Sequence, residues 1–88
     1  IHVLNMAVVC IQNQEFTIAK TYLDHIKPED FEQRAYLFYG AKAEYFIAIN
    51  KLNDAIKYID LALNAVNNQL EKEYLQKKKT ILLNKKLD

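Results

Sequence analysis

One glycine, Gly40, and one proline, Pro28, punctuate 88 residues that contain no serine at all. A sandwich or barrel of short strands needs turn chemistry about every ten residues, and this chain has almost none to offer. Long helices with few interruptions are what such a sequence can build. With 51% apolar and 26% charged residues, the chain is too apolar for disorder and carries no low-complexity tract. The lone Cys10 excludes an internal disulfide and a multi-cysteine zinc site, and the absence of serine excludes a serine nucleophile. A formal net charge of +1 supplies no overall field toward nucleic acid or anionic lipid. No apolar run approaches the roughly 18 residues of a membrane span. With no leader-like opening and Met6 as the only methionine, the chain reads as cytoplasmic and as a segment of a longer protein.

Apolar spacing predicts five helices, over about residues 1–12, 15–26, 30–49, 53–66 and 69–87. Val3, Met6, Ala7, Cys10 and Ile11 form the expected buried stripe of the first, and Phe16, Ala19, Leu23 and Ile26 that of the second. Asn13-Gln14 is the expected break between them, Asn being the non-glycine residue most at ease in left-handed geometry. Pro28 stops the second helix, and Asp30 is positioned to cap the third. Phe31, Ala35, Phe38, Tyr39, Ala43 and Phe46 make the third stripe, and Leu52, Ala55, Ile56, Ile59, Ala62, Leu63 and Val66 the fourth. Asn68 with Glu71 reads as a capping box opening the fifth, whose expected stripe is Leu70, Tyr74 and Ile81, with Leu75 and Leu82 beside it.

The helices repeat. Residues 16–23 superpose on residues 52–59 at an offset of 36, matching a large apolar residue, Ala, Tyr and a second large apolar residue. Ala7 and Ala43 each stand twelve residues before the key alanines Ala19 and Ala55, where two helices crossing closely leave room only for a small side chain. This pattern resembles the tetratricopeptide repeat family. In the second unit Tyr39, Ala43, Phe46, Leu52, Ala55, Ile59, Ala62 and Leu63 stand where the family has its signature residues. In the first unit Val3, Met6, Ala7, Cys10, Phe16, Ala19 and Leu23 do so. Ile26 replaces an expected alanine, Lys42 an expected leucine and Asn67 the terminal proline, and two extra residues around Pro28 lengthen the link. The resemblance implies an all-α fold, a tetratricopeptide-like α-α superhelix of two helix-turn-helix repeats, about 1–30 and 31–67. The segment 68–88 would be a capping helix, because a third repeat would put its small position on Lys77, Lys78 or Lys79.

The same resemblance implies a concave groove lined by the first helix of each unit. Leu4, Asn5, Val8 and Gln12 would line it from unit one, and Leu37, Gly40, Ala41, Glu44 and Ala48 from unit two. Such a trough suits an extended peptide or a partner helix. Asn5 offers a donor and an acceptor to a peptide backbone, or is satisfied by a neighbouring helix or water. Gly40 costs about 1 kcal/mol inside a helix, which marks either close approach by a ligand or tight helix packing. The carboxylate clamp of chaperone-binding members is not matched beyond Asn5. Lys77-Lys78-Lys79 points to different sides of a helix and reads as a solvated face, without direct nucleic-acid contact.

No catalytic, metal or cofactor constellation is legible. His2 and His25 lack a second ligand at helical spacing, and Asp24-His25 diverges around its helix. The expected function is a protein- or peptide-binding module without catalytic activity, its partner seated in the groove. Two alternatives stand beside it. One is a structural solenoid segment that self-associates. The other is the peptide-sensing part of a transcriptional regulator. Asn, Lys, Ile and Tyr make up 34 of 88 residues, a bias common in AT-rich genomes, and Asn5 is similar to the amide with which the tetratricopeptide-like sensors of Gram-positive bacteria hold a peptide backbone.

Overall fold

A computed structural model describes residues 2–87. Ile1, where the spacing starts the first helix, and Asp88 lie outside the described residues. The chain is all-α: α1 (His2–Gln12), α2 (Phe16–Asp24), a 3-10 segment (Pro28–Arg34), α3 (Ala35–Ala48), α4 (Leu52–Ala65) and α5 (Gln69–Leu87). α1 pairs with α2 and α3 with α4; α1 also packs on α3, and α5 on α4.

The two helix pairs turn in the same way, at the same 36-residue offset as the sequence repeat. Gln14 (φ 63°) and Asn50 (φ 62°) are both left-handed. Glu15 N–H then reaches back to the Cys10 carbonyl at 2.8 Å, and Lys51 N–H to the Phe46 carbonyl at 2.8 Å. Each bond closes the wide ring that ends a helix through a left-handed residue. In the first turn it is Gln14, not Asn13, that adopts this conformation. The left-handed position is set by where the last helical carbonyl must be satisfied, and residue preference yields to it.

The third helix starts later than the spacing predicts. Asp30 Oδ2 accepts the Lys27 N–H at 2.9 Å and so opens the 3-10 segment rather than capping α3. Glu32, at φ 51° and ψ −115°, then kinks the chain before Ala35. Phe31, Ala35 and Phe38 fit either a three- or a four-residue period, which is why the pattern alone runs through this break. α5 begins as expected, with Asn68 Oδ1 accepting the N–H groups of Leu70 (2.8 Å) and Glu71 (3.2 Å).

Small residues let the helices approach. Ala7, Ala19, Ala43, Ala55 and Ala62 are all 0% exposed. Two apolar clusters form around them. One joins Leu4, Ala7, Leu23, Phe31, Phe38 and Ala41. The other joins Ala43, Ala55, Ile59, Ala62, Val66, Leu75 and Leu82. α3 serves both clusters and is apolar nearly all round, as a central helix must be. Lys42, standing where leucine was expected, lays its Nζ over the Phe38 and Tyr58 rings at 5.7 and 5.6 Å. It thereby caps an aromatic run in which Phe46 and Tyr58 stack at 5.5 Å.

Two stripes differ from expectation. In α1 the buried residues are Leu4, Ala7 and Cys10, while Met6 is 36% exposed, because α1 touches α3 as well as α2 and its buried arc turns toward α3. In α5 the buried residues are Leu75 and Leu82, and the expected stripe faces outward: Leu70, Tyr74 and Ile81 are 77%, 56% and 57% exposed. Leu75, Lys78, Lys79 and Leu82 form the docking stripe instead, at i, i+3, i+4 and i+7.

Ala55→Leu forces two extra methylenes' worth of bulk or more into a helix crossing, and we expect a loss of about 1–3 kcal/mol in urea unfolding followed by circular dichroism. The exposed Ala48→Leu changes stability by less than about 0.5 kcal/mol. Equal tolerance of both would contradict the close crossing.

Candidate functional site

A cleft of about 200 Å³ opens where α3, α4 and α5 meet. α3 contributes Tyr36, Leu37, Gly40 and Glu44, successive positions along one side of the helix, and Ile59 of α4 closes the floor. α5 contributes Glu71, Tyr74, Leu75 and Lys78 from across the gap. Lys78 Nζ forms an ion pair with Glu44, meets the Tyr74 hydroxyl at 3.1 Å and lies 5.2 Å from the centre of the Tyr74 ring. Burial pushes the Lys78 ammonium below the usual lysine range. Lys79, the next residue, pairs with Asp60 of α4 at 2.7 Å, so two adjacent lysines tie α5 to two different helices.

Gly40 lies on the wall of this cleft, and a Cβ built there meets no atom within 4 Å. Tight helix packing therefore does not explain the glycine. What the missing side chain leaves is open space in the cleft, next to an ion pair and two tyrosines.

The structure brings Leu37, Gly40 and Glu44 of the sequence-predicted groove together in the cleft. Asn5 and Gln12 are exposed on α1, Val8 is half-buried against the first core cluster, and Ala48 is exposed at the end of α3. Leu4 and Ala41 are corrected: each is 5% exposed and sits in the first core cluster, beyond the reach of a ligand. α1 and α3 press those two residues against Phe31 and Phe38, which a groove reading of one-helix periodicity does not anticipate.

Sequence reasoning missed Tyr36, Glu71, Tyr74 and Lys78. A signal for Lys78 was present in the i, i+3, i+4, i+7 spacing of Leu75, Lys78, Lys79 and Leu82, but the lysine triplet masks it as a solvated run. Elsewhere Cys10 is a buried free thiol, and His25, just past the end of α2, donates from Nδ1 to the Thr21 carbonyl at 2.7 Å. Among the described residues no group of three or more His, Cys, Asp or Glu side chains is arranged to hold a metal ion.

Gly40→Ala fills empty space and removes the helical cost of glycine, so it raises unfolding stability by about 0.5–1 kcal/mol; a loss instead would mean that the position is crowded. A double-mutant cycle of Glu44→Gln with Lys78→Met gives a favourable coupling of about 1 kcal/mol, larger than an exposed pair because Lys78 is partly desolvated. Coupling indistinguishable from zero would remove the pair as a tie between α3 and α5. No protein-family model, no curated protein and no solved structure matches the chain.

Proposed function

We propose that this chain is a helical-repeat module of the tetratricopeptide type that binds a peptide or protein segment across α3 and α5. The observation that carries the reading is the cleft over Gly40: a mid-helix glycine, unfavourable where it stands, opens onto apolar and aromatic walls with a few polar groups at the rim. That combination suits a side-chain anchor. Glu44 and Lys78 satisfy each other, so this pair serves to orient and select a ligand. The duplicated turn at Gln14 and Asn50 and the buried alanines at matching offsets support two repeat units. Asn5 and Gln12, exposed on α1, are open to a further part of such a ligand.

A random peptide display library panned against the whole chain, with isothermal calorimetry on the selected peptides, tests this. Gly40→Leu fills the cleft, and we expect it to weaken binding by about tenfold or more, with the melting temperature held or raised. Asn5→Ala weakens binding severalfold if the backbone contact is made. Affinities indifferent to Gly40→Leu would sink the assignment.

A further inference from the structure

The two ends of the Gly40 cleft differ in charge. Links of residues 49–51 and 66–68 join α3 to α4 and α4 to α5. Links this short make each pair antiparallel, so α3 and α5 lie side by side in the same direction. At one end of the cleft Lys78 is already engaged, by Glu44 and by the Tyr74 hydroxyl at 3.1 Å. Glu71 stands at the other end, seven residues and about 10 Å along α5, on the same level as Tyr36 of α3. Its carboxylate is uncommitted. Asn68 Oδ1, not Glu71, caps α5 by taking the Leu70 and Glu71 N–H groups, and no ion pair among the described residues uses Glu71. Lys72 follows it in sequence but points about 100° away round the helix and does not line the cleft. Arg34 lines a separate recess with Asp30 and Glu32. The charged lining is therefore Glu44, Glu71 and Lys78, with the lysine satisfied and Glu71 left over.

We propose that the cleft takes a long basic side chain, arginine or lysine, of the bound segment; the inference rests on the peptide reading of the cleft and names its anchor. The methylene stem would lie on Leu37, Ile59 and Leu75, over the space that Gly40 leaves, as long charged side chains do on apolar surface. The cation would sit between the Glu71 carboxylate and the Tyr36 ring, since a carboxylate and an aromatic face both attract it. Lys78 does not oppose it: Glu44 neutralises that ammonium, and about 10 Å exceeds the Debye length of about 8 Å at physiological salt. An acidic side chain would meet two carboxylates and no available cation, and a neutral one would leave Glu71 unused. The chain as a whole carries a formal charge of +1, so a preference for a basic anchor comes from this local arrangement and not from the overall field.

The probes are display-selected peptides for the whole chain, remade with each basic residue in turn replaced by a neutral counterpart, citrulline for arginine or norleucine for lysine. At one position the replacement weakens binding in calorimetry about tenfold at about 50 mM salt, and the gap shrinks severalfold at about 500 mM. Glu71→Gln reduces that gap to about twofold or less, with the neutral peptide's affinity and the melting temperature held because Glu71 is exposed. Glu73→Gln, which removes an exposed carboxylate outside the cleft lining, leaves the gap intact. Selected peptides that lack a basic residue overturn the inference, as does a basic residue whose neutralisation costs nothing at every position. A gap that survives Glu71→Gln, or that Glu73→Gln closes equally, overturns it too. In each of those cases weakening by Gly40→Leu still upholds the cleft as the peptide site, whereas indifference to Gly40→Leu overturns both.

Discussion

Close approach of the helices at alanine is the constraint on which the rest of the structure depends. Ala7 and Ala19 allow α1 and α2 to meet, and Ala43 and Ala55 do the same for α3 and α4, each with no exposed surface. A side chain with even one more branch would separate the backbones and open voids around Leu23 and Ile59, the two largest side chains that are fully buried. Interiors packed to crystal-like density leave no room for such an adjustment. In a domain this small, where only about two-thirds of the unfolded surface is hidden, few other contacts could compensate.

Electrostatics plays a narrower part and acts mainly at α5. That helix buries only Leu75 and Leu82 in full, too little apolar area to fix its rotation about its own axis. The pairs Lys78–Glu44 and Lys79–Asp60 lie between those leucines and select one face. Ion pairs at partly exposed positions add little stability; here their contribution is orientation. They set Tyr74 at the rim of the cleft, still more than half exposed, and leave Leu70 and Ile81 outside.

Much of the fold was legible because its signals are local. The alanines, the turn at Asn50, the Asn68 cap and the five helices all follow from spacing and from residue chemistry within a few positions. Two of the exceptions depend on a neighbour distant in sequence, and one on local bonds that periodicity does not register. Leu4 is buried because α3 lies against α1, and the 3-10 segment exists because Asp30 bonds back to Lys27 while Glu32 kinks the chain. The inward face of α5 is decided by Glu44 and Asp60, residues that no periodicity within α5 can reveal. For the cleft, Leu37, Gly40 and Glu44 were legible, whereas the partners that α5 brings to them were not.

The two core clusters have one further consequence. Tyr39 packs against both, and otherwise each cluster draws on its own helix pair and on the side of α3 turned toward it. Cohesion is therefore passed from neighbour to neighbour, as in a short chain of coupled units, rather than held in a single centre. With two clusters joined through α3, opening of α1 and α2 need not disrupt the contacts of α4 and α5, and α3 is the helix expected to show the strongest amide protection. A ligand bridging α3 and α5 would stiffen the half of the molecule that already holds longest, leaving the α1–α2 pair free to respond to something else.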